Sequence, residues 1–169
     1  MGTNSAVAVT MDALEGAFHG SGWQGPTLFG ALRGVSAKEA IAPPAPGRRC
    51  IWEHVLHAAY WKYNVAAILE KHVLGLTEPE GFPRSPANWP DLPDRPDEKR
   101  WKQDRKLLEQ MHDRLYRAAE GIKPARLHDV PSPKHKRTLS QYLVGVAAHD
   151  AYHCGQVQLI KRLVREGTD

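Results

Sequence analysis

The sequence predicts an all-α fold, an antiparallel four-helix bundle, and three observations carry that expectation. Leu139, Tyr142, Val146, His149, His153, Val157, Ile160 and Val164 recur at spacings of 3, 4, 3, 4, 4, 3 and 4, the inward stripe of one long helix. Three further stretches show helical patterning with polar outer faces, while strand signals are almost absent. A chain of 169 residues, 41% apolar and 25% charged, is ordinary for one soluble domain, here residues 1–169, and can bury a core without staples. Amphipathic helices with one apolar stripe each bury those stripes against one another.

The first helix is expected over about residues 8–18, ended by the break Gly20-Ser-Gly22-Trp23-Gln-Gly25-Pro26. Thr27 to Leu32 and Ser36 to Ala40 read as short additional turns, and Pro43-Pro44-Ala-Pro46-Gly47 stops them. The second helix spans about 50–74, with Gly75 suited to the position past its end. Its start is poorly capped, because Arg48 and Arg49 stand where Ser, Thr or Asp is preferred. A proline-rich loop from Thr77 to Pro96 follows. A loop this long is uncommon in a compact domain, and its Phe82 and Trp89 suggest that it packs over something.

The third helix covers about 97–120, with Trp101, Leu108, Met111, Leu115 and Ala118 facing inward; Pro96 or Asp97 suits its start and Gly121 its end. The fourth covers about 138–166. It opens on Thr138-Leu-Ser-Gln141, a capping-box pattern, and has Gly167 past its end.

His149 and His153 lie one turn apart inside the apolar stripe of the fourth helix, so their rings can converge on one point. Such a pair is a usual way for a helix to hold zinc or nickel. Two polar core residues satisfied by hydrogen bonds are the plainer alternative. A catalytic metal usually takes about three protein ligands and keeps one position open. The third ligand should therefore come from a facing helix, and the second helix offers His54 and His57. Ile51, Ala58, Trp61, Val65, Ile68 and Leu69 define its apolar arc, with His54 near the centre and His57 near one edge. Periodicity slightly favours His54. His72 is on the same side but about four turns further along, and His19, His112, His128 and His135 occupy short, exposed or loop contexts.

Other features exclude more than they indicate. A formal charge of +4 does not by itself imply a nucleic-acid partner, and Lys134-His135-Lys136-Arg137 reads as a solvated loop. Cys50 and Cys154 are too few for a disulfide framework, and Cys154 points about 100° away from His153, toward packing. No basic region followed by an apolar core opens the chain, and no apolar run approaches 20 residues. A cytoplasmic protein without membrane or nucleic-acid partners is the expectation.

Two strings resemble a known family. Ile51-Trp-Glu-His-Val-Leu-His57-Ala-Ala-Tyr-Trp61 and Ala148-His149-Asp-Ala-Tyr-His153-Cys-Gly155-Gln156 are similar to the helix-two and last-helix motifs of the DinB/YfiT-like superfamily of metal-binding four-helix bundles. The second matches its His-x-x-x-His-x-Gly-Gln signature. In the first, Ala-Ala-Tyr-Trp follows His57 directly, so the resemblance places the third ligand at His57 rather than His54. Phe82-Pro-Arg-Ser-Pro-Ala-Asn-Trp89-Pro resembles a subgroup of the family. Arg49-Cys50 departs from it, where a capping Ser or Thr is common. The resemblance implies metal ligands His57, His149 and His153, a small-molecule substrate and a homodimer. It also implies a metal-dependent hydrolase, or a transferase or isomerase using a low-molecular-weight thiol.

Three neutral imidazoles leave a divalent ion's charge uncompensated, which favours ionisation of water or a thiol held there. Asp150 and Gln156 are weak candidates for a catalytic or supporting role. His149-Asp150-x-x-His153 invites comparison with the His-Glu-x-x-His of zinc proteases, but Asp is a methylene shorter and the third histidine lies far upstream. Gln156 sits one turn beyond His153. Gly155 is expected to let another helix approach closely, and Tyr152 and Trp61 to be core or to wall a pocket. The rival class is a non-catalytic, stress-related metal-binding bundle that works through dimerisation.

Overall fold

A computed structural model describes residues 4–76 and 80–167; the loop's opening residues 77–79 and the first three of the amino-terminal string lie outside the described residues. The fold is an all-helical bundle. Its elements are α1 (Asn4–Phe18), α2 (Leu28–Ala31), α3 (Ala37–Ile41), α4 (Ile51–His72), α5 (Glu98–Glu120), a 3-10 turn at Pro124–Arg126, and α6 (Leu139–Glu166). The only extended pairing among the described residues is one Gly22–Gly25 bridge. None of the described helices is long and apolar enough to cross a membrane.

Local chemistry sets the helix ends. Thr138 and Gln141 form a reciprocal capping box, the Gln141 side chain accepting the Thr138 N–H at 2.9 Å. Asp97 caps α5 by accepting the Arg100 N–H at 2.9 Å. The start of α4 is better supported than Arg48 and Arg49 suggest, because the Glu53 carboxylate reaches back to the Cys50 N–H at 2.8 Å. That helix stops at His72, and Gly75 then takes φ +74°, a conformation glycine adopts without strain.

Helix direction follows from which side chains meet. His54 and His57 of α4 face His153 and His149 of α6, so this pair is antiparallel, as are α1 and α5, where Glu15 meets His112 and His19 meets Glu109. On α4 and α5, however, Trp52 pairs with Asp104, Lys62 with His112 and Glu70 with Arg114, so these two neighbours run in the same sense. That arrangement explains the proline-rich segment. To start α5 beside the start of α4, the chain must return along a helix about 33 Å long at 1.5 Å per residue. The loop is pinned on its way: Phe82 packs between Tyr60 and Tyr63, and Arg84 donates to Asp104 at 2.5 and 2.8 Å.

The core has two apolar halves. One gathers Phe18, Trp52, Trp101, Leu108 and Val157; the other gathers Leu14, Leu69, Leu115, Leu139 and Leu143. Between them lies a buried polar layer. Lys62 and Asp150 form a fully buried ion pair, and Lys62 Nζ also donates to Nδ1 of His112 at 3.2 Å. The Nε2–H of His112 donates in turn to Glu15 at 3.2 Å. His112 is thus not an exposed histidine, as its surroundings in the sequence suggest, but is 1% exposed and stacked on Phe18 at 3.9 Å.

Candidate metal centre

The triad is assembled from two facing helices. On α6, His149 and His153 sit one turn apart, and their Nε2 atoms are 3.0 Å from each other. From α4, His57 brings its Nε2 to 3.3 Å from that of His149. One nitrogen from each of the three lies within 4.8 Å of the others, a group that could hold a metal ion. Zinc–imidazole bonds of 2.0–2.1 Å at tetrahedral angles separate ligand nitrogens by about 3.3 Å. The observed separations fit that edge without rearrangement of the helices.

The far sides of the rings fix their orientation. Nδ1 of His57 donates to the Asn88 carbonyl at 3.0 Å, and Trp89 stacks on its ring at 3.8 Å and 10°. Arg49 lies over the other face of Trp89, its guanidinium 3.7 Å from the ring centroid. The proline-rich loop therefore clamps the ring whose Nε2 faces the α6 pair. His54 has a different place. Its Nδ1 meets Nδ1 of His153 at 3.0 Å. Were His153 to ligate through Nε2, its proton would sit on Nδ1 and be donated to His54, which would orient the ligating ring. His149 lacks such support: its Nδ1 is buried without a hydrogen-bond partner.

The site keeps its imidazoles neutral. Burial pushes His54 and His149 down to about 4 and His153 to about 2, with repulsion among the rings adding to the effect; burial also lowers His57, against the Asn88 contact. Neutral rings offer lone pairs to a cation at neutral pH. His112, in the polar layer, is likewise pushed to about 2 by burial and then by Lys62.

A stability prediction follows from these values. The unfolded chain protonates its histidines near pH 6.5, whereas the folded chain keeps His54, His112, His149 and His153 neutral well below that. The unfolded state then binds more protons, so stability is fully present above pH 6.5 and lost as pH falls toward the folded values. Each ring contributes on the order of 1 kcal/mol per pH unit in that window. Urea unfolding of chelator-treated protein should therefore show a midpoint that falls between pH 6.5 and 5; a flat midpoint would contradict the buried, neutral placement.

The weaker candidates lie elsewhere. Asp150 is fully buried and turned to Lys62, with Oδ1 unpartnered, so it is neither a surface carboxylate nor grouped with the three Nε2 atoms. Gln156 is half-buried one turn past His153 and makes no side-chain hydrogen bond among the described residues. Gly155 does not serve a close helix approach, because a Cβ there would meet nothing within 4 Å. Trp61 is 41% exposed, its ring centroid 6.3 Å from those of both His57 and His149, whereas Tyr152 is exposed at 61%. Neither aromatic is core. Cys154 is buried and donates its thiol to the Pro26 carbonyl, a packing role. A second His–carboxylate group, Glu15, His19 and His112, is separate from the triad and joins α1 to α5.

A family model described as the DinB superfamily matches residues 24–157, a span that includes all three histidines of the triad. No curated protein and no solved structure shows significant similarity to the chain.

Proposed function

This chain belongs to the DinB superfamily, and we propose that it is a metal-dependent enzyme whose cation is held by His57, His149 and His153. The observation that carries this is the spacing of the three Nε2 atoms, 3.0 and 3.3 Å along the triad, close to the edge of a zinc tetrahedron. Zinc or nickel suits an all-imidazole donor set. Bound there, such an ion would act as a Lewis acid, moving the pKa of water or a small thiol toward neutrality.

The protein's own residues supply the rest. The Asn88 carbonyl and His54 hold two of the rings with Nε2 turned inward. Trp89, stacked on His57, keeps water from that side. Three protein ligands leave a position for substrate, and no carboxylate among the described residues shares the cluster. Asp150 is spoken for by Lys62, so proton transfer falls to the substrate, a thiol cosubstrate or solvent rather than to that residue. Hydrolysis and thiol transfer are supported equally by this arrangement.

A second reading, a non-catalytic stress-related metal-binding bundle acting through dimerisation, is favoured by the outer side of α6. There Val144, Tyr152, Leu159 and Leu163 are 43–61% exposed. One screen separates the readings. Ester, amide and amine-release substrates are presented to metal-loaded protein, with and without small thiols. Turnover without thiol is expected of a hydrolase, and turnover only with thiol of a transferase. Silence in both arms, with metal bound, would favour the non-catalytic bundle.

A further inference from the structure

We propose that the trough between α4 and α6 beside the triad binds an anionic small molecule with an apolar body, whose charged end is read by Arg137. The inference rests on the metalloenzyme reading and adds to it the class of substrate. The trough encloses about 510 Å³, within the roughly 300–1,000 Å³ of small-molecule sites. Its walls are mostly apolar, from Trp61, Val65, Ile68 and Val146, and the half-exposed indole of Trp61 is the largest of them. His149 and Arg137 both line it, on either side of the first two turns of α6. A compound lying in it would touch the triad and a guanidinium at once.

Charge points the same way. Two shallower depressions continue the trough: one shares Arg137 and Gln141 with it and adds Lys136, and the other shares Asn64 and His135 and adds Lys71 and Lys134. No Asp or Glu lines any of the three, although the chain carries 19 acidic residues against 23 Lys and Arg. Lys71, Lys134, Lys136 and Arg137 have no ion-pair partner among the described residues, and Asn64 makes no side-chain hydrogen bond there. A positive, acid-free groove with low-dielectric walls concentrates anions. Arg137 is the member best suited to fix one, because a guanidinium binds carboxylate, phosphate or sulfonate oxygens through two parallel donors.

Length narrows the class further. Gln141 precedes His149 by two turns, about 12 Å along the helix, and Arg137, the residue before the Thr138 cap, lines the same trough. A ligand roughly 12 Å long or more, anionic at one end and reactive or metal-seeking at the other, would span the gap. Its middle would lie on Trp61 and Ile68.

The test compares 6-phenylhexane-1-sulfonate with 6-phenylhexan-1-ol by isothermal titration, a pair that differs in charge and in which sulfonate is a poor metal ligand. The sulfonate should bind about tenfold tighter or more, as a charge-assisted bidentate contact allows. Arg137→Gln should remove the preference while leaving metal content unchanged, and Arg137→Lys should retain part of it. Equal binding of the two probes, no measurable binding of either, or a preference that survives in Arg137→Gln would overturn the proposal. The outcomes separate it from the metal reading. Protein that takes up no zinc or nickel yet still prefers the sulfonate through Arg137 would sink only the metal centre; metal-loaded protein without the preference would sink only the trough.

Discussion

Replacing Lys62 by methionine should cost about 3–5 kcal/mol of stability, the loss expected when one partner of a buried ion pair is removed. Lys62 and Asp150 are both fully buried and pair directly in the polar layer between the two apolar halves of the core, with Glu15 a more distant negative charge. Burial pushes the lysine down and the aspartate up, and each charge opposes the shift of its partner. Without Lys62, Asp150 would keep a carboxyl in the bundle interior with neither oxygen paired, and His112 would lose the donor to its Nδ1. Changing both partners, Lys62→Met with Asp150→Leu, should recover most of that loss, because an apolar pair avoids both desolvation penalties. Urea unfolding of the single and double variants reads this directly. A single variant that loses less than about 1 kcal/mol would mean that the pair is not buried as described.

His149→Ala should abolish metal binding, the second large effect. His149 is the middle member of the triad, its Nε2 within 3.3 Å of His57 and 3.0 Å of His153, so its removal leaves two ligands and no nitrogen between them. Two imidazoles do not complete the three-ligand set of a zinc site. His54→Ala should behave differently. It removes the partner of Nδ1 of His153, not an inward-facing nitrogen, and loss of such a supporting group costs about 10–100-fold in affinity. Titration with zinc in competition with a chromophoric chelator distinguishes the two. Equal loss in both variants would contradict the separate roles assigned to His54 and His149.

The contrast between His54 and His57 shows where the sequence is legible and where it is not. The stripe from Leu139 to Val164 could be read directly, because the 3.6-residue period leaves one inward face, and His149 and His153 lie on it. On α4, His54 and His57 are three residues apart and both turn inward, each 8% exposed, so the helical wheel cannot choose between them. Periodicity leans to His54, which the structure turns toward the back of His153. The Ala-Ala-Tyr-Trp that follows His57 points, through family resemblance, to the histidine that the structure groups with His149 and His153.

Other features have no local signature at all. The Lys62–Asp150 pair joins residues 88 apart, and nothing near either one announces the other. His112 lies in the most polar of the long helices, yet it is buried by Phe18 and Lys62 from distant segments. The parallel run of α4 and α5 left one trace, a connection too long for a simple turn between antiparallel neighbours. Arg49 read as a poor cap because its role, covering Trp89 above His57, depends on a loop some forty residues later.

The whole account depends on a cation shared by imidazoles from α4 and α6. Elemental analysis of protein purified without added metal tests it most directly. Close to one transition-metal ion per chain is the expected result, lost in His149→Ala. A folded wild-type protein that carries no metal, and takes up none when zinc or nickel is supplied, would contradict it.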